Sequence, residues 1–112
     1  MLRGISVTYV TTLKLTVPAT VDIGELEHEI VTAVADRLRD DYGYELMARS
    51  RPRASATTNT YRLHPTGSIV VDKEHDVLKV KLHGINVDAD DLFTAVSSEL
   101  EQRHDGLAVE IG

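Results

Sequence analysis

Five histidines (His28, His64, His75, His83 and His104) are the side chains best suited to proton transfer or metal ligation in this chain. A metal site on a helix needs two of them one turn apart, at i, i+3 or i, i+4, so that both rings face one ion. No pair has that spacing. His28 falls on the polar side of a helix, His75 in a tight turn, and His104 at a helix end, where a cation suits the dipole. His83 and Asp88 would need a tertiary contact to act together. The acidic doublets Asp40-Asp41 and Asp90-Asp91 offer oxygen ligands, but residues 88–91 lack the Gly and the distal Glu of a calcium loop. Placement at a helix N-terminus explains Asp90-Asp91 more simply. The glycines are scattered rather than gathered in a phosphate loop. There is no cysteine, so no thiolate nucleophile, disulfide or cysteine zinc site is expected. No Ser or Thr stands in a nucleophile-elbow context. The expectation is a non-enzymatic protein with no cofactor, no metal and no identified small-molecule ligand.

The most unusual chemistry is basic. Arg49, Arg51, Arg53 and Arg62 gather on a chain whose formal net charge is −6. Three readings compete: a solvated loop whose arginines pair with the protein's own carboxylates, a contact with an acidic neighbouring subunit, and a contact with RNA or DNA. In the last, Tyr61 would supply a stacking face, although no RNP-type aromatic motif is present. The overall charge works against nucleic acid and against anionic membranes, because both attract a cationic field.

The elements that must position these residues are marked by periodicity. Ile5, Val7, Tyr9, Thr11, Leu13, Leu15 and Val17 alternate with mostly polar neighbours, Val10 excepted, and predict a strand over residues 5–17. Thirteen residues at ~3.3 Å each would span roughly 43 Å, against a usual strand of ~17–20 Å. A body of this size is only about 30 Å across. Such a strand either bends or projects to pair with another chain. Pro18 ends it, since proline cannot donate to a ladder.

A helix then opens at Asp22 as N-cap, with Glu25 at the capping-box position and Val21 and Leu26 spaced as a hydrophobic staple. Ile23, Leu26, Ile30, Ala33, Val34 and Leu38 form its apolar stripe, with Glu27, Glu29, Asp36, Arg37, Arg39 and Asp40 assigned to water. Gly43 is its expected left-handed stop. A strand follows from Tyr44, then a loop over residues 52–58 and a third strand holding Tyr61 and Leu63. A hairpin occupies residues 68–83. A second helix opens at Asp88 with the same staple, cap and leucine spacing as the first, and Leu107, Val109 and Ile111 alternate in a last strand.

The predicted order is β-α-β-β-β-β-α-β in one domain of 112 residues. The predicted class is α+β: a two-layer, ferredoxin-like split β-α-β with both helices on one face of a mostly antiparallel sheet. Residues 49–64 are expected to form a projecting loop or arm. The functional expectation is a structural assembly subunit that contacts other copies of itself or other structural subunits. Its interface would use Val10, Thr12, Arg49, Arg51, Arg53, Tyr61 and Arg62, through strand addition and the arm. By fold-level analogy the class includes connector and tail components of tailed viruses. The alternatives are a dimeric ligand-binding regulatory domain and an RNA-binding sheet. No apolar run approaches the ~20 residues that span a bilayer, and no leader-like apolar segment follows Met1, so a cytoplasmic protein is expected.

Overall fold

The computed structural model of the chain describes residues 11–47 and 57–112. It is an α+β fold with elements in the order β1 (Thr12–Thr16), α1 (Ile23–Tyr42), β2 (Glu45–Leu46), β3 (Thr58–His64), β4 (Ser68–Glu74), β5 (Val77–His83), α2 (Ala89–Arg103) and β6 (Ala108–Ile111).

Local chemistry sets the helix ends. Asp22 has extended backbone, and its Oδ1 accepts from the Gly24 N–H at 3.0 Å. Asp88 does the same for α2, accepting from the Asp91 N–H at 3.1 Å. Each satisfies a donor that the first helical turn leaves without a partner. Gly43, at φ 79, turns the chain out of α1 while its N–H reaches the Arg39 carbonyl at 3.2 Å. Asp40, unfavourably placed at the negative end of α1, is offset by Arg39 at 3.3 Å. Replacing Asp22 or Asp88 with alanine is expected to cost about 1 kcal/mol each in urea unfolding. A cap serine at the same position should recover most of that loss.

The strands form one six-stranded sheet in the order β2-β3-β4-β5-β1-β6, and every neighbouring pair is antiparallel. Alternation decides which residues meet the helices. Leu13 and Leu15 of β1, Tyr61 and Leu63 of β3, Ile69 and Val71 of β4, and Leu78 and Val80 of β5 are buried. They pack in one core with Leu26, Ile30, Val34 and Leu38 of α1 and Leu92, Phe93, Val96 and Leu100 of α2. Period 2 in the strands and period 3.6 in the helices thus converge on a two-layer sandwich. The helices are also tied to each other by Arg37–Glu99 at 2.9 Å. Glu29 adds a second tie, to Arg103 at 3.3 Å and His104 at 3.1 Å.

Two expectations change here. The opening strand is not a free ribbon where it is described. Thr12–Thr16 lies inside the sheet, paired to β5 from Thr12↔Lys81 to Thr16↔Val77 and to β6 from Leu13↔Ile111 to Thr16↔Ala108. The predicted residues 5–10 lie outside the described residues. The second change concerns the arm. Thr58–His64 does not project: it is a seven-residue strand between β2 and β4, with Thr58↔Asp72 through Arg62↔Ser68 in register. The small, polar composition before Tyr61 concealed an alternation in which Asn59, Tyr61 and Leu63 all point to the core.

Candidate functional site

The largest departure from the sequence expectation lies between α1 and the β3–β4 pair. Glu27, assigned to the wet side of its helix, is only 3% exposed. Its Oε2 accepts from the Asn59 Nδ2 at 2.8 Å and from the Tyr61 hydroxyl at 2.6 Å. Its Oε1 faces the Lys73 Nζ at 2.9 Å. Burial pushes the carboxyl pKa upward. The hydrogen bonds from Lys73, Tyr61 and Asn59, with the Lys73 charge, outweigh that, so the net direction is below the ordinary carboxylate value. Glu27 is therefore an ionised, fully engaged carboxylate. Such a group holds α1 to two strands, and it is poorly suited to proton transfer near neutral pH. A signal for it existed in the sequence: Glu27 stands four residues after Ile23 and three before Ile30, within the apolar stripe.

Tyr61 accordingly offers no stacking face. Its ring lies in the core, 8% exposed, with the hydroxyl committed to Glu27. Thr12 is half-buried on β1 and exchanges two hydrogen bonds of 3.0 Å with Gly112. Arg62 is exposed on β3. Val10, Arg49, Arg51 and Arg53 lie outside the described residues. Of the histidines, His104 binds Glu29 through Nε2, and His28 and His83 are exposed. Among the described residues no group of three or more His, Asp or Glu side chains is arranged to hold a metal ion. No helix of the described residues is long and apolar enough to cross a membrane.

The second surface is the sheet face away from the helices. Alternation places Thr12, Lys14 and Thr16 there from β1, Ser68, Val70 and Asp72 from β4, and Lys79, Lys81 and His83 from β5. Register aligns them in rows: Glu110, Lys14, Lys79, Asp72 and Thr58 form one, crossing five strands. Lys14 meets Glu110 at 3.6 Å and Lys81 meets Asp72 at 3.4 Å. The Thr58 hydroxyl donates to Asp72 at 2.7 Å, and with Lys81 it holds that carboxyl below its usual range. The chain's lysines thus collect on the sheet: Lys14, Lys79 and Lys81 on this bare face, and Lys73 beneath α1.

Neither a family model, nor a curated protein, nor a solved structure matches this chain.

Proposed function

We propose that this chain is a non-enzymatic assembly subunit that joins neighbouring subunits by strand addition. The feature that supports the reading is the alternating sequence pattern on the N-terminal side of β1. Strand β5 runs beside β1 only as far as His83, two residues past the Lys81↔Thr12 pair, and Gly84 then turns the chain away at φ 70. The alternating apolar pattern continues upstream of Thr12 through Tyr9, Val7 and Ile5. A strand that followed this pattern would pass the end of β5 among the described residues, and the reading assigns a second chain as its complement. The non-enzymatic part of the reading rests on Glu27. Among the described residues it is the buried carboxylate, and three donors occupy it fully.

The same reading extends to the fold family. The spatial order β6, β1, β5, β4, with α1 and α2, supports a split β-α-β, ferredoxin-like reading in which β2 and β3 are additions at one edge. That core also favours the alternative, a regulatory domain that pairs sheets across its bare face and binds a metabolite at the junction. The RNA-binding alternative is weakened, since the ring of Tyr61 is occupied in the core.

Light scattering after size exclusion tests the assembly reading. The expected mass is a multiple of the 12.4 kDa chain that survives added salt. Val7→Pro, which removes a ladder donor from the upstream segment, should return it to the monomer. A wild-type chain that stays monomeric at high concentration would remove the basis of the proposal. A dimer whose melting temperature climbs with a metabolite would favour the regulatory domain instead.

A further inference from the structure

Arg62 stands apart from the other cations among the described residues. Lys14, Arg37, Arg39, Lys73, Lys81 and Arg103 each hold a carboxylate within 4.0 Å. Lys79 lies in the field of Asp72. Arg62 has no carboxylate partner among the described residues, on a chain with 18 acidic side chains. Register decides what surrounds it. Arg62 pairs with Ser68, and Ser68 pairs with His83, so the three form one row across β3, β4 and β5 on the bare sheet face. Neighbouring strands are about 4.8 Å apart, which sets Arg62 and His83 roughly 10 Å from each other with the short Ser68 hydroxyl between them. Thr60 stands two residues from Arg62 on the same face. Gly67 and Gly84 close the end of the row, and a Cβ on Gly84 would lie 3.2 Å from the Gly67 Cα. The absence of side chains there leaves a depression of about 590 Å³, lined by these six residues. That volume is in the range of small-molecule sites.

We propose that this depression binds a phosphate group, free or carried by a small organic molecule. A guanidinium fork, an imidazole and two hydroxyls supply donors from several sides of one concavity. A tetrahedral anion can meet donors arriving from several directions at once, whereas a carboxylate presents its acceptor sites in one plane. Among the described residues no acidic side chain lines the hollow, so it is a basic recess on an acidic protein. The inference does not depend on strand addition, which concerns the segment upstream of Thr12, but it reassigns Arg62 from the expected subunit interface to a ligand site.

Titration of the full chain with inorganic phosphate, followed by amide NMR at constant ionic strength, tests it. Saturable shifts are expected at Arg62, Gly67, Ser68, His83 and Gly84. Arg62→Gln should weaken the affinity at least about tenfold, because a charge-assisted bidentate contact is lost. His83→Gln should weaken it by a smaller factor. If Arg62→Gln shifts the melting curve, His83→Gln and Ser68→Ala carry the test. Tighter binding of ribose 5-phosphate than of phosphate would assign an organic phosphate, and equal affinities would assign the free ion. Chloride reproducing the same shifts, or Arg62→Gln leaving them unchanged, would overturn the site.

Discussion

Glu27→Ala is expected to be among the most damaging single substitutions in this protein, lowering stability by about 3–5 kcal/mol. The loss is more than three hydrogen bonds. Alanine strands the Lys73 ammonium, whose side chain is 16% exposed, and leaves the Asn59 amide and the Tyr61 hydroxyl without their acceptor. For a domain of this size the melting temperature should fall by more than about 10 °C. Lys73→Met should cost less, because Glu27 keeps Asn59 and Tyr61 as donors. In a double-mutant cycle the two changes should couple by about 0.5–3 kcal/mol. A Glu27→Ala protein within about 1 kcal/mol of wild type would show that the cluster contributes little. The same carboxylate sets an acid limb. Its folded pKa lies below the ordinary 4.5, so below that value the unfolded chain binds the extra proton. The stabilisation is complete above pH 4.5 and is lost as the pH falls through the folded pKa. Glu27→Gln should flatten that limb in acid-unfolding curves.

Gly67→Ala follows in size, at about 2–4 kcal/mol, combining left-handed strain with overpacking. Gly67 has φ +92, and a Cβ there would lie 2.2 Å from the Ile85 Cγ2 and 2.7 Å from the His83 carbonyl oxygen. The isoleucine can rotate, but the carbonyl belongs to the end of β5 and moves only with the strand. Gly43→Ala is the internal control. Gly43 has a similar φ of +79 with open space around it, so it should lose only about 1 kcal/mol. Equal losses at the two positions would show that backbone conformation alone is responsible. A larger loss at Gly67, with faster hydrogen exchange at the Leu63 N–H that donates to the Gly67 carbonyl at 2.9 Å, would locate the damage where β3, β4 and β5 meet.

Much of this architecture was legible in the residues because the signals are local. The aspartate caps, the Gly43 stop and the 68–83 hairpin each depend on neighbours a few positions away. The element order β-α-β-β-β-β-α-β followed from periodicity in the same way. Periodicity reports how many faces of an element are covered, not which element covers them. Hence the order β2-β3-β4-β5-β1-β6, and the place of Thr12–Thr16 between β5 and β6, could not be read in advance. Composition also misled at Thr58–His64, where polar residues conceal a core-facing set that includes a hydrogen-bonded asparagine.

The two surfaces divide along the same line. That arginines are concentrated on an acidic chain is a property of the sequence alone. That Arg62 has no carboxylate partner among the described residues, beside Ser68 and His83, depends on strand register. Glu27 looked solvent-facing because a charged residue in an apolar stripe is ordinarily turned to water at its edge. Its burial became favourable only when a lysine, a tyrosine and an asparagine from two strands, at least 32 positions away, arrived on the same side. Local energies fix caps, turns and alternation before the chain collapses. Partners for charges are chosen afterwards, by which strands become neighbours.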